Sequence, residues 1–202
     1  MKYYKVTKDN EKHYDMQYKT GLNVDVVPFF PGGTCMPGGM YYAREDILAF
    51  IDYGIWIREV TIPEDAQVHE ESMGGGPRKW KADKIILGER RKINAEVFKE
   101  LIDEGADIHA GNDVAIRHVT RWGCIEATKI LIEAGADIEA MAGLPLQGAC
   151  SYGNIDLVKL IIKSGVNVRT NFHALDLAVL GGHIKIVKLL IKHGAEAKIF
   201  LW

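Results

Sequence analysis

One twelve-residue phrase occurs four times in the second half of this chain, and no other feature limits the possible folds as strongly. Each copy carries a lysine near its middle and a glycine near its end, and these glycines lie 30, 30 and 29 residues apart. Self-similarity at such a period predicts stacked helical repeats, in which each copy buries an apolar face against its neighbours. The copies are AEVFKELIDEGA at 95–106, IEATKILIEAGA at 125–136, IDLVKLIIKSGV at 155–166 and IKIVKLLIKHGA at 184–195.

Two glycines delimit each full repeat and predict a pair of helices. The inner glycine is Gly123, Gly153 or Gly182, and the closing glycine follows 12 residues later in every copy. Glycine can adopt the left-handed conformation that ends one helix and turns the chain into the next. The second helix is apolar on several sides, so a partner helix and a neighbouring repeat must both cover it. The first helices are expected near 114–121, 145–151 and 174–180.

The first 90 residues lack the repeat and predict a small α+β domain of mostly antiparallel strands around one helix. The LGERRK segment at 87–92 is the expected boundary, which gives an unassigned domain at 1–90 and a repeat array at 91–202. We expect the domain to pack directly on the first copy and to cap it, with Asn94 as a helix N-cap. Strands are expected at 2–6, 23–30, 40–43, 55–62, 66–69 and 80–87, and the helix at 45–53.

The repeated residues resemble the ankyrin repeat. GADI occurs at 105–108 and 135–138, GH at 182–183 and IVKLL at 186–190, as in that family's pattern. The resemblance implies an all-α ankyrin solenoid of about 3.5 repeats. The period is about 30 residues instead of about 33, so the β-hairpin fingers are expected to be short. Arrays of this short period resemble those encoded by giant DNA viruses.

The ankyrin resemblance also implies where a partner would bind. The family exposes the two residues before the inner glycine on the concave face of the array. Trp, Tyr and Arg are the residue types that dominate the energetics of protein interfaces. The alternative is that the two aromatic side chains lie flat and cover short hairpins. The candidate partner-binding residues are Arg121, Trp122, Ser151, Tyr152 and Leu180.

A second function class comes from the N-terminal domain. The strand GMYYA at 39–43, followed by a helix and Tyr53, resembles the core of ADP-ribosyltransferase-like folds. The resemblance implies a domain that binds or uses NAD, with Tyr42 or Tyr53 as a ring-stacking group, and repeats that recruit the substrate. It also requires a glutamate, but Glu59, Glu70 and Glu71 lie in no motif that matches the family. The alternative is that these aromatics form a hydrophobic core.

Composition and motif spacing argue against nucleic-acid binding, a membrane span, a metal site and a phosphate-binding loop. Lys and Arg total 25 against 27 Asp and Glu, so the chain lacks the basic excess expected of a nucleic-acid-binding protein. No apolar run approaches 18 residues, which argues against a membrane span. No histidine and cysteine spacing matches a metal site, no glycine-rich loop matches a phosphate-binding motif, and we expect no cofactor. Three widely separated cysteines suit a reducing compartment.

We therefore expect a non-enzymatic protein–protein interaction module in the cytoplasm, which is the host cytoplasm if the chain is viral. Recruitment of a degradation machine is a third class, but neither end carries an F-box-like set of helices. The apolar end of the chain, IFLW at 199–202, is expected to fold back over the last repeat or to dock on a partner. The sequence specifies neither the partner nor the oligomeric state.

Overall fold

In the described part of the chain, antiparallel strands and one 3₁₀ helix precede seven α-helices, which agrees with the predicted α+β region followed by helical repeats. The computed structural model describes residues 1–32, 36–71 and 76–196. The chain divides into two compact units, which are called here the N-terminal unit (residues 1–114) and the repeat unit (residues 115–202). The predicted α+β domain and the first copy of the phrase both lie in the N-terminal unit. The domain boundary at residues 90 and 91 remains a prediction.

The described part of the N-terminal unit contains three antiparallel sheets. One sheet has the order β1-β6-β9-β4 with β10 also paired to β6, a second is the hairpin β2-β3, and a third has the order β5-β8-β7. The strands are β1 Tyr3–Thr7, β2 Lys12–His13, β3 Met16–Gln17, β4 Gly21–Val24, β5 Met40–Tyr42, β6 Trp56–Thr61, β7 Val68–Glu71, β8 Lys79–Ala82, β9 Lys84–Leu87 and β10 Arg91–Lys92. A 3₁₀ helix spans Glu45–Tyr53.

Strand β6 is the centre of the largest sheet and is covered on both faces. Ile57 and Val60 are buried, and so is Arg58, which an alternating strand would place on the opposite face from Ile57. Arg58 is neutralised by Glu11, whose carboxylate oxygens accept from Arg58 Nε at 2.8 Å and Nη2 at 2.9 Å. Buried charge of this kind is stable only when it is paired and hydrogen-bonded.

Two predicted strands differ from those observed. The run at 80–87 is not one strand but two, because Asp83 separates β8 from β9 and they belong to different sheets. The Asp83 amide donates to the Gln67 carbonyl at 3.2 Å, and its carbonyl accepts from the Asp25 amide at 2.7 Å. The predicted strand at 23–30 is observed only as β4, which ends at Val24.

The first copy of the phrase packs on the strands, as predicted. Its helix α1 (Ala95–Asp103) begins at Asn94, whose side chain accepts from the Val97 amide at 3.0 Å. The Tyr4 hydroxyl donates to Glu104 at 3.0 Å, and Arg91 Nη2 donates to Glu100 at 3.0 Å. These contacts fix the end of α1 and its middle turn on β1 and β10.

The remaining helices form pairs that stack in series. They are α2 Ala110–Arg121, α3 Ile125–Glu133, α4 Ala140–Ser151, α5 Ile155–Lys163, α6 Phe172–Leu180 and α7 Ile184–Lys192. First helices pack on first helices (α4 on α6), and second helices pack on second helices (α3 on α5 and α5 on α7). One apolar core runs continuously from Leu146 to Ala195. With α1, the described part of the array amounts to three helix pairs and one single helix.

Both glycine positions adopt the predicted left-handed conformation. The inner glycines Gly123, Gly153 and Gly182 have φ of 74°, 73° and 68°, and closing glycines such as Gly135 and Gly165 have φ of 98° and 97°. An L-residue with a Cβ is disfavoured at such angles, so the two glycines determine where each helix pair turns.

A left-handed turn replaces the long finger of a standard repeat. In α4 the residues Met141, Ala142 and Gly143 have φ of 53°, 59° and 80°, and the right-handed helix resumes beyond them with Pro145 in its first turn. The buried Asn171 donates from Nδ2 to the Gly143 carbonyl at 2.9 Å and accepts from Gln147 at 3.1 Å. This amide network joins neighbouring repeats, and its Gln147 stands at the position where the family pattern has histidine.

Among the residues that the structure describes, no helix has the length and apolar character needed to cross a bilayer. The apolar segment at 199–202 lies outside the described residues.

Candidate protein-binding surface and N-terminal pocket

Three large side chains project from successive turns of the repeat unit. Trp122 follows α2, Tyr152 follows α4 and Leu180 ends α6, and their side chains are 50%, 61% and 84% exposed. Arg121 and Ser151 are exposed beside them. The five candidate residues therefore occupy equivalent turns, and we call this set the turn stripe: Arg121, Trp122, Ser151, Tyr152 and Leu180.

Side chains that bridge neighbouring repeats hold these turns next to one another. Asn154 Nδ2 donates to the Gly123 carbonyl at 3.4 Å, and His183 Nε2 lies 3.1 Å from the Ser151 carbonyl. Asn154 and His183 follow the inner glycine in their own repeats, so each contact joins one turn to the preceding one. The turn stripe is consequently a continuous surface, built on backbone that is tied by hydrogen bonds.

The two aromatic residues of the turn stripe are packed differently. The Trp122 ring lies against His118, with ring centroids 3.6 Å apart and an interplanar angle of 57°. Tyr152 makes no ring contact with any residue in the described ranges. Leu180 stands one position earlier in its repeat than Trp122 and Tyr152, and it corresponds in register to Arg121 and Ser151. The offset is visible in the sequence, because Leu180 lies two residues before its inner glycine and Trp122 and Tyr152 lie one residue before theirs.

Exposed apolar residues outside the turn stripe were not anticipated. Met141 is 56% exposed on the left-handed turn of α4, and Ile184 and Ile191 are 66% and 56% exposed on α7. The sequence carries no signal for Met141, because a left-handed turn is not expected at a methionine. Ile184 and Ile191 belong to the apolar phrase and were expected to be covered.

The two described cysteines are not activated nucleophiles. Burial raises the pKa of the Cys150 thiol to about 12 and also raises the pKa of Cys124. A nucleophilic or metal-binding cysteine needs a lowered pKa, because the thiolate is the reactive form. No group of three or more His, Cys, Asp or Glu side chains within the described ranges could hold a metal ion.

The N-terminal unit contains a pocket of about 500 Å³, which we call the N-terminal pocket. Strand β1 forms one wall and the 3₁₀ helix contributes Ile47, Phe50 and Tyr53. Six tyrosines line it: Tyr4, Tyr14, Tyr18, Tyr41, Tyr42 and Tyr53. Four lysines line it as well: Lys5, Lys8, Lys12 and Lys79.

Lys5 is the buried cation of the N-terminal pocket. Its side chain donates from Nζ to the Tyr41 carbonyl at 2.6 Å, and the same nitrogen lies 4.8 Å from the centre of the Tyr18 ring. Removal from water lowers the pKa of Lys5 to about 7, although the negative charge of Asp25 acts in the opposite direction. Lys5 is therefore poised to gain or lose a proton near neutral pH.

Tyr18 and His13 adjoin Lys5. The Tyr18 hydroxyl is buried and has no hydrogen-bond partner among the residues that the structure describes. Burial raises the pKa of Tyr18, so this group remains a neutral donor at physiological pH. His13 Nε2 lies 3.2 Å from Asp25, and burial is the larger of the effects that lower the pKa of His13.

Tyr42 and Tyr53 both line the N-terminal pocket, but they differ in exposure. Tyr42 is 4% exposed and stacks on Trp80 with ring centroids 6.4 Å apart, as the core interpretation predicts. Tyr53 is 58% exposed, and Lys8 Nζ lies 5.1 Å from the centre of its ring. Of the two, only Tyr53 is largely exposed to solvent.

No glutamate or aspartate lines the N-terminal pocket in the described ranges. Glu71 is buried and accepts from the Tyr41 hydroxyl at 2.9 Å, with Lys81 Nζ at 3.3 Å. Glu59 pairs with Lys2 at 2.7 Å. The glutamate that the ADP-ribosyltransferase resemblance requires is therefore not at this pocket, and that resemblance receives no support.

The comparisons with known proteins concern the repeats. Residues 143–200 match the family described as ankyrin repeats in three copies. A putative ankyrin repeat protein of Acanthamoeba polyphaga mimivirus is 35% identical over 128 residues, which cover 57% of this chain and 42% of the relative. A second putative ankyrin repeat protein of that virus is 30% identical over 129 residues, which cover 62% of this chain and 39% of the relative.

An uncharacterized protein of the same virus is 30% identical over 128 residues, and the match covers 61% of this chain and 92% of the relative. The chain thus spans about two fifths of the length of the first two relatives. The glycine turns, the paired helices and the family match agree, and the chain belongs to the ankyrin-repeat proteins, with repeats of the type found in mimivirus.

Proposed function

We propose that this chain is a non-enzymatic protein–protein interaction module that binds its partner through the turn stripe. The observation that carries the proposal is the exposure of Trp122, Tyr152 and Leu180 on three successive, hydrogen-bonded turns. An exposed tryptophan and tyrosine on rigid backbone are typical of the few residues that supply most of the binding energy at interfaces. In the ankyrin family these positions face the concave side of the array, and we extend that assignment to this chain.

The proposed partner is a protein of the host cell, because the relatives are encoded by a virus that replicates in an amoeba. The proposed location is accordingly the host cytoplasm. Arg121 adds a cation beside Trp122, so we expect the partner to present an apolar pocket with an acidic rim. The division into a domain at 1–90 and a binding array at 91–202 belongs to the same proposal.

Affinity capture from amoeba extract tests this function. The bait proteins are the wild-type chain, a Trp122→Ala/Tyr152→Ala double variant and an Ile184→Ala/Ile191→Ala control. The control removes two exposed apolar side chains of the same repeat unit that lie outside the turn stripe. Captured proteins are quantified by mass spectrometry, and circular dichroism verifies that all three baits are folded.

The proposal expects at least one host protein that the wild type and the control capture equally and the double variant loses at least tenfold. Truncation of two interface hot spots at about 2 kcal/mol or more each accounts for a loss of that size. Retention of every captured protein by the double variant would refute the turn stripe as the binding surface. A double variant that only melts at a lower temperature would support the alternative in which the aromatics cover the turns.

A further inference from the structure

We propose that the N-terminal pocket binds a nucleoside di- or triphosphate, with the phosphates at its lysines and the base on its exposed tyrosine rings. This inference is independent of the turn stripe, because every lining residue belongs to the N-terminal unit. No transfer chemistry is proposed. The charge, the buried polar groups, the rings and the size of the pocket all favour such a ligand.

The lining has four lysines and one histidine but no carboxylate in the described ranges, although the whole chain has a formal charge of −2. Two of these five groups have carboxylate partners outside the lining, since Lys79 Nζ lies 3.5 Å from Glu71 and His13 Nε2 lies 3.2 Å from Asp25. Lys8 and Lys12 are exposed, and neither has a carboxylate within 4.0 Å among the described residues. A single carboxylate ligand would not require this concentration of cations. Several phosphate oxygens would, since ammonium groups bind them through charge-assisted hydrogen bonds.

Two buried polar groups of the pocket have unused hydrogen-bonding capacity. Lys5 is 6% exposed, and its ammonium has three donor hydrogens, but among the described residues the Tyr41 carbonyl is the one acceptor within hydrogen-bonding distance. Tyr18 is also 6% exposed, and its hydroxyl has no partner in the described part of the chain. Buried polar groups are normally hydrogen-bonded, so both groups are suited to a ligand that supplies acceptors.

Anion binding also agrees with the ionisation of Lys5. Its pKa of about 7 means that Lys5 is a mixture of amine and ammonium at neutral pH. A bound phosphate would favour the ammonium, because an opposite charge nearby stabilises the charged form. The other titratable groups near Lys5 include Asp25, His13 and Tyr18, and the charge of Asp25 raises the pKa of Lys5.

Two tyrosines offer faces to a planar group. Tyr14 and Tyr53 are 55% and 58% exposed at the pocket. The His13 ring lies 4.8 Å from the Tyr14 ring and Lys8 Nζ lies 5.1 Å from the centre of the Tyr53 ring, so a base would stack on the ring surface that these groups leave exposed. Stacking on aromatic side chains suits any nucleobase, because every base has a π face. The volume of about 500 Å³ lies within the roughly 300–1,000 Å³ typical of small-molecule sites. A phosphate alone would leave the rings unused, and an uncharged aromatic compound would leave the lysines unused.

Isothermal titration of the full chain tests the proposal. The probes are ADP, GDP and UDP as nucleotides, adenosine as a ring without charge, and pyrophosphate as charge without a ring. The variants are Lys8→Ala/Lys12→Ala and Tyr18→Phe, and a matched control is Lys19→Ala/Lys92→Ala, which removes two exposed lysines outside the pocket lining. Thermal denaturation verifies that each variant is folded.

We expect at least one nucleotide to bind more tightly than both adenosine and pyrophosphate. The Lys8→Ala/Lys12→Ala variant should weaken it by roughly tenfold or more, Tyr18→Phe by roughly fivefold, and the control not at all. Three results would overturn the proposal. They are the absence of nucleotide binding to folded wild-type protein, pyrophosphate binding as tight as nucleotide binding, and equal loss in the lysine control.

Discussion

The two compact units bury different kinds of residue. The described part of the N-terminal unit buries six charged side chains: Lys5, Glu11, Arg58, Glu71, Lys81 and Asp113. In the described part of the repeat unit the buried polar residues are all uncharged, namely Thr120, Thr128 and Asn171. The difference shows that one chain uses two strategies, a core linked by ion pairs and a core made of stacked apolar helices.

The two units also differ in what their buried side chains require. In the described part of the repeat unit the core is apolar, and the residues of the turn stripe lie outside that core on the surface. In the N-terminal unit the buried charges are costly to desolvate and require specific partners. Such groups are expected where a fold must hold a particular geometry, and Lys5 at the N-terminal pocket is an example.

The largest expected effect is the loss of the buried ion pair. Glu11→Ala leaves Arg58, which is 4% exposed, without its carboxylate. Breaking a buried pair by removing one partner costs about 3–5 kcal/mol, so the free energy of unfolding should fall by that amount. Urea denaturation measures it. The matched control is Asp156→Ala, which removes the exposed pair with Lys159 in the repeat unit and should change stability by less than about 1 kcal/mol.

Equal effects of Glu11→Ala and Asp156→Ala would contradict the contrast between the two units. A Glu11→Leu/Arg58→Met double variant tests whether the unpaired charge of Arg58 causes the loss of stability. Because both charges are removed together, this variant should recover much of the stability that Glu11→Ala loses.

Gly143→Ala should produce the next largest effect and act on the repeat unit. A Cβ at Gly143 would lie 1.9 Å from Asn171 Nδ2 and would displace the amide that links two repeats. Left-handed strain and a lost buried hydrogen bond together predict a destabilisation of about 2–4 kcal/mol in thermal or urea unfolding. Gly165→Ala is the matched control, because φ there is +97° but the added Cβ meets open space.

The Gly165→Ala control should cost about 1–2 kcal/mol from backbone strain alone. Equal destabilisation of the two glycine variants would mean that the Asn171 amide network does not contribute to stability. That result would contradict the proposed stabilisation of neighbouring repeats by this network.

The ionisation of Lys5 predicts a dependence of stability on pH. Its pKa is about 7 in the folded chain and near 10.5 when unfolded, so the unfolded state binds more protons between these values. The free energy of unfolding should therefore rise with pH across that window because of Lys5, by up to about 1.4 kcal/mol per pH unit. Lys5→Met should remove this contribution, as urea melts at several pH values would show.

Lys8→Met is the control for that series, since Lys8 is exposed and its substitution should leave the slope unchanged. A Lys5→Met variant with the wild-type slope would mean that Lys5 stays charged in the folded protein.

The smallest expected effect is a gain in stability. Ala142 has φ of 59°, which an alanine adopts with strain, so Ala142→Gly should stabilise the chain by about 1 kcal/mol. Ala134→Gly is the opposite control, because Ala134 has φ of −76° and glycine there should cost up to about 1 kcal/mol. Differential scanning calorimetry measures the melting temperatures of both variants. A lower melting temperature for Ala142→Gly would contradict backbone strain at Ala142.

The sequence predicted the repeat unit better than the N-terminal unit, and the reason is physical. One helix separates Gly123 from Gly135, so their spacing depends only on local structure. The same pair of glycines recurs in each later repeat, and this repetition makes the pattern easy to recognise in the sequence. Asp83 has no such repetition, and only its contacts with Gln67 and Asp25 reveal that it separates two strands. Arg58 lies in an alternating strand, where a charged residue is expected to face solvent. In the structure Arg58 is buried and pairs with Glu11.

The candidate sites follow the same division. The positions of Trp122 and Tyr152 followed from the repeat pattern, because exposure at the turn is a property of the family. The N-terminal pocket could not be predicted beyond Tyr42 and Tyr53, since its lysines and tyrosines come from segments brought together only by the sheets. The left-handed turn at Met141 is likewise a consequence of neighbouring repeats.

Site-specific photocrosslinking tests the binding surface most directly. A benzoylphenylalanine replaces Leu180 of the turn stripe in one protein and Ile191, at the far end of α7, in the other. Both proteins are irradiated in amoeba extract, and covalent adducts are identified by mass spectrometry. Binding through the turn stripe predicts a defined adduct with a host protein from position 180 and none from position 191. Adducts that form only from position 191, or equally from both, would contradict it.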